Sequence, residues 1–183
     1  MRILLLICII SASFNSRSDL GETILWGTKQ LEWTDFKGLP DMSFPSAAVS
    51  ACVLHMELSD STSHLANARI ETLFRKNASW VKSKNNILLL HESGHFNIAE
   101  LFARKLRAKL ASKTFRAYNY DREVMNLYNQ SNAEMEKYQD QYDRETDFSR
   151  NTSMQNAWQT RISSELSSLS GNSNVKVLLR LRN

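Results

Sequence analysis

Hydrophobic residues in the second half of the chain recur at spacings of three and four, the pattern of amphipathic helices. In the first such segment, Ile98, Leu101, Phe102 and Leu106 follow this spacing. The pattern and its capping residues predict three long helices, from Lys84 to about Ser112, from Asp121 as N-cap to about Thr146, and from about Asn151 to Leu169 with Gly171 as C-cap. The segment from Thr114 to Tyr120 is predicted to be a bend.

The first half of the chain shows shorter apolar segments and period-two alternation, which favour strands. Ser46–Leu58 ends in such an alternation, and Arg69–Phe74 is a plausible partner strand. Ile24–Trp26 and Leu31–Trp33 fit a small strand and a loop, while Val175–Leu181 fits either a terminal strand or a helical tail. The predicted fold class is therefore α+β, with a small, mainly antiparallel N-terminal sheet packed on the first helix and two further long helices.

The chain begins with a pattern typical of a secretory signal: Met1-Arg2, an apolar run from Ile3 to Ile10, and then small residues. We therefore predict a signal peptide at residues 1–16 and one domain at 17–183, exported to the periplasm or secreted. The 183 residues, 42% hydrophobic and 23% charged, suit a single globular domain. The apolar run is too short to span a bilayer, so no stable membrane anchor is expected.

The chain carries a net charge of +4 and has a pI near 9.1, yet no basic run is interleaved with aromatic residues. The densest basic cluster, Arg104, Lys105, Arg107 and Lys109, is interpreted as the solvated face of the first helix. We therefore expect no nucleic-acid partner. No feature of the sequence indicates an oligomeric state.

Within the first predicted helix, residues 91–95 read His-Glu-Ser-Gly-His. Residues four apart share one face of a helix, so His91 and His95 can bind one metal ion together while Glu92 borders it. A catalytic zinc site keeps three protein ligands and an open position for water, and a nearby carboxylate can accept a proton from that water. The motif predicts two zinc ligands and a general base, although both histidines could also be ordinary residues of an amphipathic helix.

A third ligand has to come from elsewhere in the chain. On the second helix, Glu136, Asp140, Asp143 and Asp147 fall at spacings of four, three and four and share one face, with Glu145 in the same turn. Like charges on one face repel unless a cation lies opposite, so this face is either a metal-binding face, an ion-paired face or a solvated acidic surface. His55, His64 and Glu100 are weaker candidates because of their positions in the predicted elements.

Several segments, the histidine motif among them, resemble a family of secreted bacterial zinc-dependent protease-like proteins, a domain-of-unknown-function family grouped with the gluzincin-like metallopeptidases. The similar segments cover nearly the whole chain after the signal and comprise residues 31–38, 74, 79–81, 89–100, 103–106, 142–146 and 155–159. The resemblance implies a zincin-type helix with a zinc site formed by His91, His95 and a residue of 142–146, and Glu92 as general base. Asp143 is the first choice for the third ligand and Glu145 the second.

One difference from the family affects the expected activity. Its members often have His-Gly two residues after the threonine of the Tyr142–Thr146 segment, where this chain has Phe148-Ser149. If that histidine is the third ligand of the family, this protein lacks it.

The expected function is a zinc metallopeptidase that hydrolyses peptide or protein substrates with zinc-activated water. The alternatives are a catalytically weak or inactive zincin-like envelope binding protein and, less favoured, a hydrolase of other amides.

Overall fold

The computed structural model describes residues 20–59, 62 and 64–183, so the predicted signal peptide at 1–16 lies outside the described residues. Seven strands and three helices follow one another in this part of the chain. They are β1 (Thr23–Leu25), β2 (Ala48–Val49), β3 (Cys52–Ser59), β4 (Leu65–Arg75), β5 (Trp80–Val81), α1 (Asn86–Ser112), β6 (Thr114–Arg116), α2 (Tyr120–Thr146), α3 (Thr152–Ser168) and β7 (Lys176–Arg182). The predicted α+β fold class is confirmed.

The long strand β4 is the centre of a five-stranded, mainly antiparallel sheet. It pairs with β3 along one edge, and with β1 and β7 at opposite ends of the other edge. The last strand, β7, alternates buried Val177, Leu179 and Leu181 with exposed residues, and β6 joins it in parallel. Of the two predictions for the end of the chain, the strand is therefore correct.

Helix α1 lies between the sheet and the other two helices. It begins after Asn85, whose side-chain oxygen accepts a hydrogen bond from the backbone N–H of Leu88 at 2.8 Å. One side of α1 packs on β3, β4 and β7, and another side contacts α2 and α3. Because α1 is covered on both sides, His91, Glu92 and His95 are buried, and the neighbouring helices can supply partners for them.

The prediction that the basic cluster of α1 is a solvated face is wrong for two of its members. Arg104 and Arg107 are buried, and both donate to the carboxylate of Glu100, at 3.0 and 2.9 Å. Thr72 on β4 donates a further hydrogen bond of 2.8 Å to the same carboxylate. These contacts satisfy the buried charges and join α1 to the sheet, as a buried ion pair requires.

Several predicted boundaries differ from the structure. Helix α2 begins at Tyr120 after Asn119, so Asp121 lies in its first turn and is not the N-cap. Helix α3 is capped at Leu169, and Gly171 instead belongs to a short 3-10 turn. The predicted strand at 46–58 is divided between β2 and β3, and the predicted bend after α1 contains β6. None of the helices in the described ranges combines the length and apolar character needed to cross a membrane.

Candidate metal centre

Three side chains with metal-binding atoms meet at the interface of α1 and α2. The Nε2 atoms of His91 and His95 lie 3.1 and 3.0 Å from Oδ1 of Asp143. All three residues are buried, and their potential ligand atoms lie within 4.8 Å of one another. The structure thus brings together the two histidines of the motif and the first-choice carboxylate of the second helix.

The other ring nitrogen of each histidine contacts a glutamine amide. Nδ1 of His91 lies 3.1 Å from Oε1 of Gln155 on α3, and Nδ1 of His95 contacts Oε1 of Gln139 on α2. Since an amide oxygen only accepts hydrogen bonds, these contacts are hydrogen bonds in the tautomer that carries the proton on Nδ1. In a neutral ring Nε2 is then unprotonated, which is the form that binds a metal. The two glutamines therefore orient the Nε2 lone pairs towards Asp143.

Two buried carboxylate oxygens in this cluster have no hydrogen-bond partner among the described residues: Oδ1 of Asp143 and Oε2 of Glu92. Oδ1 of Asp143 meets the two imidazoles as a partner in ion pairs, at 3.1 and 3.0 Å from their Nε2 atoms. A buried oxygen without a partner is costly, and such groups occur where an ion, a water molecule or a reactant is bound. The arrangement therefore fits a bound cation between the three side chains.

The electrostatics of the cluster also favour a positive charge. Burial opposes the charged forms of both His95 and Asp143, but their mutual attraction is stronger. It raises the pKa of His95 to about 9 and holds the pKa of Asp143 well below its usual range. In the metal-free protein a proton on His95 thus balances the charge of Asp143. A divalent cation can replace this proton, because metal binding and protonation compete for the same lone pair.

Tyr142 fixes the position of His91. Its ring stacks on the imidazole of His91 at a centroid distance of 4.6 Å, and its hydroxyl donates to the His91 carbonyl at 3.1 Å while accepting from Gln155 at 2.6 Å. This close approach requires the glycine of the motif, because a Cβ at position 94 would lie 2.3 Å from the Tyr142 oxygen. Gly94 therefore allows α2 to pack directly over the histidines.

A small cavity gives access to the cluster. It is lined by the three metal-binding candidates, by Glu92 and Leu88 of α1, and by Ser46–Ser50 and Phe148. Its volume is about 30 Å³, which is enough to hold a water molecule. Glu92 is thus placed beside the cluster and not among its three converging atoms, as the motif predicts.

The remaining carboxylates of the predicted acidic face do not reach the cluster. Glu136 and Asp140 stay at the partly exposed surface of α2, and Asp147 follows the helix end and pairs with Arg150 at 2.7 Å. Glu145, the second choice for the third ligand, accepts hydrogen bonds from Gln141 and from the indole of Trp158. Only Asp143 of this face is therefore a candidate ligand.

The other weaker candidates also lie elsewhere. His55 contacts Glu57 on β3 at 3.0 Å, and His64 is exposed. Glu100 is bound by the arginines of α1 described above.

The sequence interpretation missed the roles of the two glutamines. Gln139 precedes Asp143 by one helical turn, so its position on the same face was a usable signal, whereas Gln155 reaches His91 only through the packing of α3.

Comparison with known proteins identifies one family. Residues 66–150 match the sequence profile of a family described as a bacterial protein of unknown function, DUF922. The matched range extends from β4 to the turn after α2 and includes the histidine motif, Asp143 and Phe148. This agrees with the resemblance to a bacterial family of unknown function. No curated protein and no solved structure matches the chain.

Proposed function

We propose that this protein is a zinc-dependent peptidase in which His91, His95 and Asp143 bind the metal. The observation that carries the proposal is the convergence of two imidazole Nε2 atoms and a carboxylate oxygen that has no hydrogen-bond partner. Two imidazoles and one carboxylate form a ligand set of catalytic zinc sites. Calcium and magnesium prefer sites made of oxygen atoms. The relationship to gluzincin-like peptidases is part of this proposal.

In the proposed reaction, zinc supplies a Lewis acid that polarises the substrate carbonyl and makes water more acidic. Glu92 acts as the general base. Its Oε2 atom is buried without a partner at the cavity of the cluster, so it can accept a proton from water. It can then pass that proton to the amine that leaves. The glutamines hold both histidines in the tautomer that this site requires.

The strand β2 passes beside the cluster, with Ala48 buried and Val49 partly buried. Among the described residues it pairs with β5 alone, in a two-stranded sheet, and the backbone N–H of Lys82 donates to the carbonyl of Ala47 at 2.7 Å. Because hydrogen bonding alternates along an antiparallel pair, the N–H and C=O of Ala48 point away from β5. Ala48 also lines the cavity of the cluster. A peptide that adds to this edge would place its backbone beside Glu92.

The test is hydrolysis of a diverse peptide library by the zinc-loaded mature protein, compared with Glu92→Gln. Glu134→Gln is the matched control, since Glu134 pairs with Lys109 at the surface. We expect Glu92→Gln to bind zinc as the wild type does but to lose about 10²- to 10⁴-fold in kcat, the usual contribution of a general base. The control should retain full activity.

Zinc binding without Glu92-dependent turnover would contradict the proposal and favour the non-catalytic envelope protein.

The proposed setting of the activity is outside the cytoplasm, on the basis of the predicted signal at residues 1–16. Fractionation of cells that express the full chain tests this, because the mature protein should be found in the periplasm or the medium.

A further inference from the structure

The turn that follows α2 has an unusual backbone. Asp147, Phe148 and Ser149 have φ values of 49°, 50° and 75°, so three consecutive residues other than glycine adopt the left-handed region. The turn is held by a hydrogen bond from the N–H of Phe148 to the Asp143 carbonyl at 2.9 Å. Such strain persists only where the surrounding structure enforces it, and it is frequent at functional sites.

The strained turn directs an aromatic side chain to the mouth of the metal cluster. Phe148 lines the same cavity as His91 and Glu92, yet 44% of its surface is exposed and it is not part of the hydrophobic core. A phenylalanine that served only packing would be buried. Phe148 also has no atom that can bind a metal, so the site does not use it as a ligand.

Two larger apolar side chains line the cavity besides Phe148, together with Ala47 and Ala48. Leu88, one helical turn before Glu92, is buried, and Val49 on β2 is partly buried. Together with Phe148 they form an apolar part of the lining beside the metal cluster, while Ser46 and Ser50 add polar groups on the segment around β2. Ligand sites commonly have this composition, with a few polar groups for orientation and apolar walls for affinity.

We propose that Phe148, with Val49 and Leu88, determines specificity by binding an apolar or aromatic side chain of the substrate residue next to the scissile bond. This inference rests on the proposed peptidase function. Phe148 lines the same cavity as Ala48 and Val49 of β2 and as the cluster, so a side chain of a peptide bound along β2 would meet its exposed ring. An aromatic side chain there would remove the exposed face of Phe148 from water and gain a ring contact.

The test measures binding to the zinc-loaded protein by calorimetry with two probes, acetohydroxamate and 3-phenylpropanohydroxamate. Both carry the same zinc-binding group, and only the second carries an aromatic side chain. We expect the aromatic probe to bind more tightly to the wild type, and Phe148→Ala to weaken its binding about tenfold, within the range for apolar pocket contacts. Binding of acetohydroxamate should change less than twofold.

Two further variants separate specificity from damage to the fold. Phe148→Leu should retain most of the preference for the aromatic probe, and Tyr118→Ala, which removes another exposed aromatic side chain, should leave both probes unaffected. With peptides, Phe148→Ala should raise KM for substrates with a large apolar residue at the cleavage site and leave kcat nearly unchanged.

The outcomes distinguish this inference from the function on which it rests. If acetohydroxamate does not bind to the zinc-loaded protein, the proposed open zinc site is wrong, and the inference is overturned with it. If acetohydroxamate binds but the aromatic probe binds no more tightly, or if Phe148→Ala weakens both probes equally, only the specificity role of Phe148 is overturned.

Discussion

Replacing Gly94 with alanine adds a single methyl group at the contact between the motif helix and α2. An ideal Cβ at this position lies 2.3 Å from the hydroxyl oxygen of Tyr142 and 2.8 Å from its Cζ. The ring cannot move away freely, because it packs against His91, His95 and Trp158. The added methyl must therefore displace α2 or force the Tyr142 hydroxyl from its hydrogen bonds.

The expected loss of stability follows from three contributions. Overpacking of a buried site costs about 1–3 kcal/mol, and disturbing the buried hydrogen bonds of Tyr142 costs about 1–3 kcal/mol more. Replacing glycine by alanine within a helix gains about 1 kcal/mol. We therefore expect Gly94→Ala to lower the free energy of unfolding by about 1–5 kcal/mol. It should also weaken zinc binding, because His91 is displaced with Tyr142.

Urea unfolding of the metal-free protein measures this loss. Gly171→Ala is the matched control, because nothing lies within 4 Å of its added methyl, and it should change stability by less than about 0.5 kcal/mol. Tyr142→Phe removes the closest atom, so combining it with Gly94→Ala should restore part of the stability. Equal stabilities of Gly94→Ala and Gly171→Ala would refute the packing of Tyr142 over the motif.

Two other predictions concern the histidines. Asp143 raises the pKa of His95 to about 9 despite burial, and a raised pKa stabilises the fold below the unfolded value of about 6.5 and ceases to do so as the pH rises through 9. In urea unfolding without metal, the free energy of unfolding should therefore fall by about 3 kcal/mol between these pH values, and Asp143→Asn should abolish this fall. A fall of the same size in Asp143→Asn would show that the His95–Asp143 pair is not its origin. Gln155→Leu should weaken zinc binding about 10- to 100-fold in a chelator competition, because Gln155 orients His91. Gln141→Leu, at the surface of α2, is the control and should not change the affinity for zinc. Equal affinities of the two variants would rule out the orientation of His91 by Gln155.

The local part of the site was accessible from the sequence. Helical spacing is enough to place His91 and His95 on one face of α1, because four residues make about one turn. Asp143 was reached less directly, since spacing alone left four carboxylates on one face of α2 and only the resemblance favoured this one. The packing of α2 against α1 decides which of the four carboxylates can bind the metal, because it brings Asp143 to the histidines and leaves the other three at the surface.

Features that depend on tertiary packing could not be predicted. Arg104 and Arg107 follow the motif in a pattern typical of a solvated face, but α1 is covered on both sides and both arginines pair with Glu100 in the interior. The short parallel strand β6 has only three residues, too few for a recognisable pattern. Gln155 contacts His91 from another helix, a contact with no local signature in the sequence.

The central claim is that two histidines and one aspartate of this chain bind zinc. Zinc-edge X-ray absorption of the purified protein, with the metal content measured on the same sample, tests it most directly. We predict one zinc ion per chain, coordinated by two imidazole nitrogens and by oxygen at about 2.0–2.2 Å, and a large loss of affinity in Asp143→Ala. Absence of stoichiometric zinc, a spectrum without imidazole ligands, or unchanged binding in Asp143→Ala would contradict the account.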